Sequence, residues 1–331
     1  MGQARDGREK GRRSIGALTL LLSERDVEDL LEMRDVVASV EEAFRRQGMG
    51  EVSNFMRTRS RGSASVLNVM HANLTYLRRG GIKAYMSSRA GTKFSLLLFD
   101  DNDSELLAVM GADILGRFRT GAASGVATKH LYGKPSGTLA VFGSGKQALT
   151  QVLAMKEVMA LEEVRVWSPD PEHRRAFAQK LRTGGMKCKA FDSAALALDG
   201  AEVATAITSS KQPFLTAQML EGVSHLNLAG GNVPDHAEMT SEGAGSFDTL
   251  VVDDLAQAKI EYGDLIQAAR DGTFSWDSAV ELGAVVAGRR RPRGRTLFKS
   301  GGAALEDIAV ASMIYDKATE SGRSYPNVEL V

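Results

Sequence analysis

The sequence predicts an α/β protein built around a doubly wound parallel sheet, and three observations lead to this class. From residue 138 onward, short apolar segments alternate with segments whose apolar residues recur at helical spacing, the order that βαβ units require. A glycine-rich turn separates the first of these strands from the first helix. At 331 residues with 43% hydrophobic side chains, the chain is long enough for one large or two ordinary domains.

Charge and cysteine content narrow the classes of partner. Lys and Arg together number 41, as do Asp and Glu, so no net charge draws the chain to nucleic acid or to an anionic membrane. A small molecule is therefore the expected ligand. The single cysteine, Cys188, has no second Cys or nearby His, which argues against a disulfide or a metal site and favours the cytoplasm. No apolar run approaches the ~20 residues of a membrane span.

Helices and then antiparallel strands are expected before the parallel sheet. Residues 1–15 are basic and lack the apolar core of a signal peptide, so we expect a disordered tail. Residues 24–48 carry apolar side chains at helical spacing, with Gly48 as the predicted stop signal. Residues 63–101 alternate β-branched segments with Gly, Asn and Asp, which predicts antiparallel strands, and residues 101–110 predict a hairpin leading to one more strand.

Two further segments are unusual in composition. Residues 116–131, GRFRTGAASGVATKHL, have a small side chain at nearly every position after two arginines. Such positions let backbones approach closely, and a tightly packed helix is the simplest explanation. Residues 298–321, FKSGGAALEDIAVASMIYDKATES, predict a glycine-rich turn and then a long amphipathic helix that returns to the first part of the chain.

The glycine-rich turn predicts a dinucleotide site. Gly143, Gly145 and Ala148 form G-x-G-x-x-A directly after a strand and at the start of a helix, the context in which this motif is informative. Gly143 permits the tight turn, Gly145 admits a pyrophosphate close to the backbone, and Ala148 allows close packing of helix and strand. The phosphates would face the free N–H groups of the helix.

The end of the second strand leaves NAD and NADP as alternatives. The ribose-reading acid expected there is replaced by Ser168, which would tolerate a 2′-phosphate neutralised by His173, Arg174 or Arg175 and so favours NADP. Asp170 stands two residues later and can turn back to a 2′-hydroxyl, which favours NAD. The expected cofactor is therefore NAD(P)H.

Several motifs resemble the ornithine cyclodeaminase and mu-crystallin family, which includes archaeal-type alanine dehydrogenases and ketimine reductases. The segments GIKAY, RTGAASGVATKHL, VFGSGKQA, VVDDLAQAK and FKSGGAALEDIAVA match in order and spacing along nearly the whole chain after the tail. The resemblance implies a substrate-binding and dimerisation domain of residues 16–122 and 306–331. It also implies a Rossmann domain of residues 123–305 inserted between them, and a homodimer formed through strands of the first domain.

The resemblance also implies the residues that hold the substrate. Arg57, Lys83 and Arg119 correspond to the cluster that binds a substrate α-carboxylate beside the nicotinamide. Arginine suits this task because it can hold a planar carboxylate with two hydrogen bonds. Lys83 near two arginines would lose its proton more easily and could protonate an imine nitrogen or a carbonyl oxygen. The match around Arg57 requires a gap, so Arg59 is an alternative.

Further cofactor contacts follow from the same comparison of motifs. Hydroxyl and backbone groups at strand ends lie where such sheets bind nucleotides. The expected contacts, beyond Gly143, Gly145 and Ala148, are Thr120, Ser144, Gln147, Ser168, Arg174, Thr208, Ser209, Ser210, Ser300 and Gly301.

One departure from the family pattern favours reduction. Cyclodeaminating members carry an Asp directly after a Gly pair, where this chain has Asn232, and an amide cannot offer a full charge or accept a proton. Asp235 and His236 follow closely and are possible compensations. We therefore expect an NAD(P)H-dependent reductase of a small imino or 2-oxo acid, with ornithine cyclodeamination or a non-catalytic, mu-crystallin-like ligand-binding protein as alternatives.

Surplus arginine raises the question of a second substrate carboxylate. Arg59, Arg61, Arg78 and Arg79 stand near the segments assigned to the substrate. A dicarboxylic imine such as iminosuccinate would explain them, and this hypothesis predicts loss of activity when Arg59 or Arg61 is changed.

Overall fold

The computed structural model describes residues 18–329, in which the chain forms two separate eight-stranded sheets. The tail predicted for residues 1–15 lies outside the described residues. The strands are β1 (Thr19–Leu22), β2 (Val52–Asn54), β3 (Thr58–Arg61), β4 (Ser65–Leu74), β5 (Arg79–Ser88), β6 (Gly91–Asp100), β7 (Leu106–Gly111), β8 (Ser136–Phe142), β9 (Ala160–Trp167), β10 (Cys188–Ala190), β11 (Val203–Ala206), β12 (His225–Leu228), β13 (Thr249–Val252), β14 (Val280–Glu281), β15 (Thr296–Lys299) and β16 (Asn327–Val328).

The helices that cover these sheets alternate with the strands mainly in the second half of the chain. They are α1 (Glu24–Leu30), α2 (Met33–Met49), α3 (Asp113–Leu131), α4 (Ala148–Val158), α5 (Pro171–Thr183), α6 (Ala194–Leu198), α7 (Ser241–Gly245), α8 (Leu255–Glu261), α9 (Gly263–Arg270), α10 (Leu282–Val286) and α11 (Ala304–Glu320). A 3₁₀ turn spans Trp276–Ser278.

The first sheet is mixed. Its order is β16-β1-β7-β6-β5-β4-β2, with β3 also paired to β4. Strands β4 to β7 pair antiparallel in sequence, as the alternating pattern predicts. The parallel pairing of β1 with β7 is an addition that the sequence did not indicate. Helix α11 covers strands β2, β4, β5 and β6 on one face of this sheet, α2 packs on α11, and their apolar residues form one core with the sheet.

The second sheet confirms the predicted fold class. Its order is β10-β9-β8-β11-β12-β15-β13-β14, and every pairing is parallel. The chain therefore winds outward in one direction from β8 through β9 to β10 and then returns to β11 on the other side. This reversal between β8 and β11 is the switch point at which doubly wound sheets bind ligands.

Helix α3 explains the small residues of segment 116–131. A Cβ added at Gly121 would lie 2.3 Å from the carbonyl oxygen of Thr150, and one at Gly125 would lie 3.1 Å from the Cβ of Ala154. Both contacts are with α4, so the glycines let the two helices cross at close range. The predicted tightly packed helix is confirmed.

Helix α11 differs from the amphipathic helix that the sequence suggested. Every residue from Ala304 to Ser312 is buried, because the helix contacts α2 and α3 as well as strands β4 and β5. It does return to the first sheet, as predicted. The burial has a chemical consequence, since Glu306 and Asp307 are enclosed with it and buried carboxylates require charged or hydrogen-bonding partners.

The predicted stop of the second helix at Gly48 is wrong. Helix α2 continues to Met49, and Gly50, with a φ of 82°, caps it in the left-handed region. Gly48 instead faces α10, where a Cβ would lie 2.1 Å from the carbonyl oxygen of Gly283. Its lack of a side chain therefore serves helix packing, and the stop signal lies two residues later.

The division into two domains stays a prediction. Helix α3 runs without a break through the suggested boundary at residue 122 and packs beside both sheets. Within residues 18–329, no helix has the length and apolar character needed to span a membrane. The cytoplasmic location likewise stays a prediction.

Candidate active site

A cleft of about 910 Å³ opens at the carboxyl edge of the second sheet, over the switch point between β8 and β11. It holds most residues that the sequence assigned to the cofactor or substrate. Of those, the cleft is lined by Arg119, Thr120, Gly143, Ser144, Gly145, Gln147, Ser168, Thr208, Ser209, Ser210, Asn232, Ser300 and Gly301. Lys83, Arg57, Ala148 and Arg174 are buried and do not line it.

The glycine turn has the geometry that a pyrophosphate needs. Gly143 has a φ of 110°, and a Cβ there would lie 2.6 Å from the carbonyl oxygen of Ile207 on the neighbouring strand end. A Cβ at Gly145 would meet nothing within 4 Å, so this backbone faces open space in the cleft. Helix α4 begins at Ala148 without a side-chain cap, which leaves its first N–H groups available to an anion. These residues fit a dinucleotide.

The region after β9 contains both acidic and basic side chains. The Ser144 hydroxyl donates to the Ser168 hydroxyl over 2.9 Å. Asp170 caps α5 by accepting from the backbone N–H groups of Glu172 and His173. His173 and Lys146 line the cleft beside it. One carboxylate and these basic groups leave both NAD and NADP compatible with the site.

Arg174 is held away from the cleft. Its guanidinium donates to the carbonyl oxygen of Ser168 over 3.2 Å and to the carboxylate of Asp192 over 2.5 Å, and the residue is 6% exposed. Its assignment to a 2′-phosphate stays a prediction. The observed contacts give it a local role in fixing the end of β9.

A buried carboxylate joins two of the predicted substrate residues. Lys83 projects from β5 and its Nζ lies 2.5 Å from Oδ2 of Asp307 on α11. The Nε of Arg119 on α3 donates to Oδ1 of the same carboxylate over 2.9 Å. Arg119 also donates from Nη1 to Glu306 over 3.0 Å. Three separate elements thus converge on one charged cluster.

Burial and opposite charges set the pKa values in this cluster. Burial lowers the pKa of Lys83 to about 8, with Asp307 opposing that shift and Arg119 adding to it. Burial also raises the pKa of Glu306 to about 7, against the attraction of Arg119. For Asp307, burial acts in the raising direction, but Arg119 and Lys83 outweigh it and hold the pKa of this carboxyl below its usual value.

Arg57 lies next to this cluster and is tied to helix α8 and to the loop after β15. Its Nη1 lies 2.5 Å from Oε2 of Glu261, and its Nη2 donates to the carbonyl oxygen of Gly301 over 2.8 Å. Arg59 contacts the other oxygen of Glu261 and donates to the carbonyl oxygen of Asn232 over 3.0 Å. Within residues 18–329, Nε of Arg57 is buried without a hydrogen-bond partner.

The loop between β15 and α11 connects the cofactor region to the arginines. Oδ2 of Asp253 accepts from the hydroxyl of Ser300 and from the backbone N–H groups of Gly301 and Gly302, over 2.8–3.0 Å. Gly302 has a φ of 84°, and a Cβ there would lie 2.2 Å from Nη1 of Arg119. The loop therefore needs glycine at 302, and Asp253 fixes its shape.

The loop that carries Asn232 is organised by a carboxylate of its own. Glu238 accepts from the backbone N–H of Thr208 over 2.7 Å and from that of Gly230 over 3.1 Å. The side chain of Asp235 is 73% exposed and pairs with His236 over 3.0 Å. The Asp235 carboxylate therefore points mainly to solvent, and the loop contacts Arg59 through the backbone carbonyl oxygen of Asn232.

A second, smaller cavity of about 200 Å³ adjoins the Arg57–Glu261 pair and is lined in part by Phe55 and His71. The His71 ring stacks on Phe55 at 4.6 Å between centroids. Because His71 pairs with Ile82 while Lys83 pairs with Met70, His71 and Lys83 point to opposite faces of the sheet.

Four acidic residues of the site were not recognised in the sequence: Asp253, Glu261, Glu306 and Asp307. A signal existed for the last two, because adjacent acids within the apolar segment ALEDIAVA imply buried charge that must be paired. Among residues 18–329, no group of His, Cys, Asp and Glu has the arrangement of a metal site.

A doubly wound sheet, a glycine turn at its switch point and a buried basic cluster beside it define a dinucleotide-binding α/β protein. The chain belongs to the ornithine cyclodeaminase/mu-crystallin family, whose model matches residues 18–322. The resemblance stated from the motifs is thereby confirmed.

Individual relatives are consistent with this family membership. A Δ1-pyrroline-2-carboxylate reductase of Bacillus cereus is 34% identical over 69% of this chain and 71% of its own. An archaeal alanine dehydrogenase, solved as a dimer with bound NAD, is 27% identical over 95% of this chain and 100% of its own, with a TM-score of 0.87. The iminosuccinate reductase of Paracoccus denitrificans, solved with NAD⁺, is 25% identical over 95% and 100%, with a TM-score of 0.88. These relatives confirm the predictions of an oxidoreductase and of a nicotinamide cofactor.

Proposed function

We propose that the protein is an NAD(P)H-dependent reductase of a small imino acid, or of a 2-oxo acid that forms an imine with ammonia. The observation that carries this proposal is the bridge from Lys83 through Asp307 to Arg119, directly beside the loop that borders the cofactor cleft. The site thus combines a proton donor, a carboxylate binder and a dinucleotide cleft, as reduction of a carboxylate-bearing C=N group requires.

The substrate carboxylate would lie between the arginines. Arg57 offers a buried Nε without a partner among residues 18–329, and Arg119 lines the cleft. A carboxylate accepts several hydrogen bonds, so it can join both guanidinium groups at once. Holding it there fixes the position of the adjacent carbon, and this lowers the entropic cost of reaction.

Lys83 is the candidate proton donor. When bound, NAD(P)H supplies a hydride to the carbon of the C=N group. The ammonium of Lys83 would provide the proton that the nitrogen requires no later than the hydride arrives, and solvent would restore that proton in a later step. With a pKa of about 8, the amine exchanges a proton near neutral pH far more readily than an ordinary lysine.

The residue at position 232 supports reduction over cyclodeamination. The side-chain amide of Asn232 cannot take up the proton released in ring closure, which a carboxylate at this position could accept. Ornithine cyclodeamination and cofactor-dependent ligand binding without turnover are the alternatives that an assay must separate.

The uncovered face of the first sheet supports a homodimer. Leu21, Val109, Leu97 and Ile82 lie in register across four neighbouring strands, on the face opposite the helices, and none of them is fully buried. A contiguous apolar face of this kind is typical of a protein interface. A second copy of the chain is the expected partner, in keeping with the dimeric alanine dehydrogenase.

The test is oxidation of NADH and of NADPH by the purified protein, followed by absorbance. The substrates are Δ1-pyrroline-2-carboxylate, pyruvate with ammonia or methylamine, and iminosuccinate, with L-ornithine assayed separately for proline and ammonia. We expect turnover of imines that is lost in Lys83→Ala and Arg119→Ala. We also expect faster turnover with one of the two cofactors, NADH or NADPH. Proline from ornithine would indicate the cyclodeaminase, and tight cofactor binding with no turnover would indicate the binding protein.

A further inference from the structure

The charges around Arg59 bear on which imino acids the site accepts. Arg57 and Arg59 share a single carboxylate, that of Glu261, with one guanidinium on each oxygen. The side chains of Arg57 and Glu261 are 1% and 2% exposed, and that of Arg59 is 22% exposed. Two positive charges and one negative charge leave this trio with one net positive charge, the amount that one substrate carboxylate neutralises.

Three of the other cations are already paired with carboxylates, and Arg61 and Arg78 are exposed to solvent. Lys83 and Arg119 share Asp307. Arg79, one of the surplus arginines in the sequence, is held by Asp316 at 2.5 Å on the outer part of α11. Arg59 is therefore the candidate for a second substrate carboxylate, and its guanidinium is occupied by Glu261 and by the Asn232 carbonyl.

We propose that Glu261 restricts this enzyme to monocarboxylic imino acids by neutralising Arg59. A dicarboxylic imine would bring its second carboxylate next to that of Glu261, and repulsion between like charges in a buried site is costly. This inference rests on the proposed reductase function and narrows its substrates. It also replaces the dicarboxylic hypothesis drawn from the number of arginines alone.

The experiment compares kcat/KM for Δ1-pyrroline-2-carboxylate with kcat/KM for iminosuccinate. We expect the wild type to prefer the monocarboxylate by about tenfold or more, and Glu261→Gln to move the ratio toward iminosuccinate by about tenfold, because Arg59 is released. Adding Arg59→Gln to Glu261→Gln should cancel that shift.

Glu42→Gln is the matched control. Glu42 also bridges two arginines, Arg45 and Arg46, but does so on the outer side of α2, so its loss should leave the ratio unchanged. If Glu261→Gln does not fold, the binding of L-proline and of L-aspartate to the wild type with NAD⁺, measured by calorimetry, decides the question through their relative affinities.

The outcomes separate this inference from the proposed function. A wild-type preference for iminosuccinate, tighter binding of L-aspartate than of L-proline, or an unchanged ratio in Glu261→Gln would overturn the role of Glu261 while leaving the reductase intact. Failure of both imines to be reduced would instead overturn the proposed function on which the inference rests.

Discussion

Nζ of Lys83 lies 2.5 Å from Oδ2 of Asp307, while Oδ1 of the same carboxylate accepts from Nε of Arg119 over 2.9 Å. These residues come from β5, α11 and α3, which are far apart in the sequence. One buried carboxylate thus sets the distance between the candidate proton donor and a candidate carboxylate binder. The arrangement is fixed before substrate arrives, and this is how a site lowers the cost of orienting its reactants.

Imine reduction should depend on the protonation of Lys83. Burial lowers its pKa to about 8, and the protonated form is the donor, so kcat should fall as the pH rises through about 8. Lys83→Met should remove this alkaline limb together with most of the activity. The measurement is the pH profile of kcat with saturating NAD(P)H. A profile that stays flat from pH 7 to 10 would exclude Lys83 as the donor.

Asp307→Asn should move that limb to lower pH. The substitution removes the negative charge that opposes the lowering of the Lys83 pKa, while the like charges of Arg119 and Arg57 remain. We also expect KM to rise, because Asp307 holds the guanidinium of Arg119 in position through its Nε. Asp316→Asn, on the same helix and paired with Arg79 at the surface, is the control and should leave the profile unchanged. A change in stability alone would show that Asp307 serves only the fold.

Gly302→Ala should weaken both stability and substrate binding. Its φ of 84° disfavours any other residue, and the new Cβ would collide with the guanidinium of Arg119. Gly322→Ala is the matched control, since Gly322 has a φ of 67° but nothing within 4 Å of its Cβ position. The control should lose about 1 kcal/mol of stability from backbone strain and keep its KM. Thermal unfolding and substrate titration distinguish the two, and equal KM values would remove the loop from the site.

Met86→Glu should disrupt the proposed homodimer. Met86 is 47% exposed and pairs in register with Leu67 on the uncovered face of the first sheet, so a charge there would be buried in the interface at high cost. Leu196→Glu, at a 54% exposed position on α6 next to the second sheet, is the control. Light scattering coupled to gel filtration should show a monomer only for Met86→Glu. Monomeric wild-type protein would refute the dimer.

Local sequence patterns predicted much of the fold. The alternation after residue 138 and the G-x-G-x-x-A turn are local signals, and the parallel sheet and the cleft at Gly143 follow from them. Helix α11 was less predictable, because its burial on all sides depends on the packing of other elements around it. The predicted helix stop at Gly48 was wrong for a related reason. The need for glycine at position 48 comes from the close approach of Gly283, which is distant in the sequence.

The candidate site was predictable where a motif was unbroken and less so where long-range pairing decides. Arg119 lies on the cleft as the motif implied. The partner of Lys83 is 224 positions further along the chain, at Asp307, and no pattern near either residue indicates that they meet. The pairing of Glu261 with both Arg57 and Arg59 was equally unpredictable from local patterns. It brings together the two arginines that the sequence left as alternatives for binding the substrate carboxylate.

The most direct test of the central claim follows the hydride itself. The protein is given Δ1-pyrroline-2-carboxylate and NADH or NADPH in which both hydrogens at C4 of the nicotinamide are deuterium, and the product is analysed by mass spectrometry and NMR. The account predicts one deuterium at the carbon that bears the carboxylate for each dinucleotide oxidised, and its loss in Arg119→Ala. Deuterium absent from that carbon, or no net oxidation of the dinucleotide while L-ornithine is converted to proline, would contradict it.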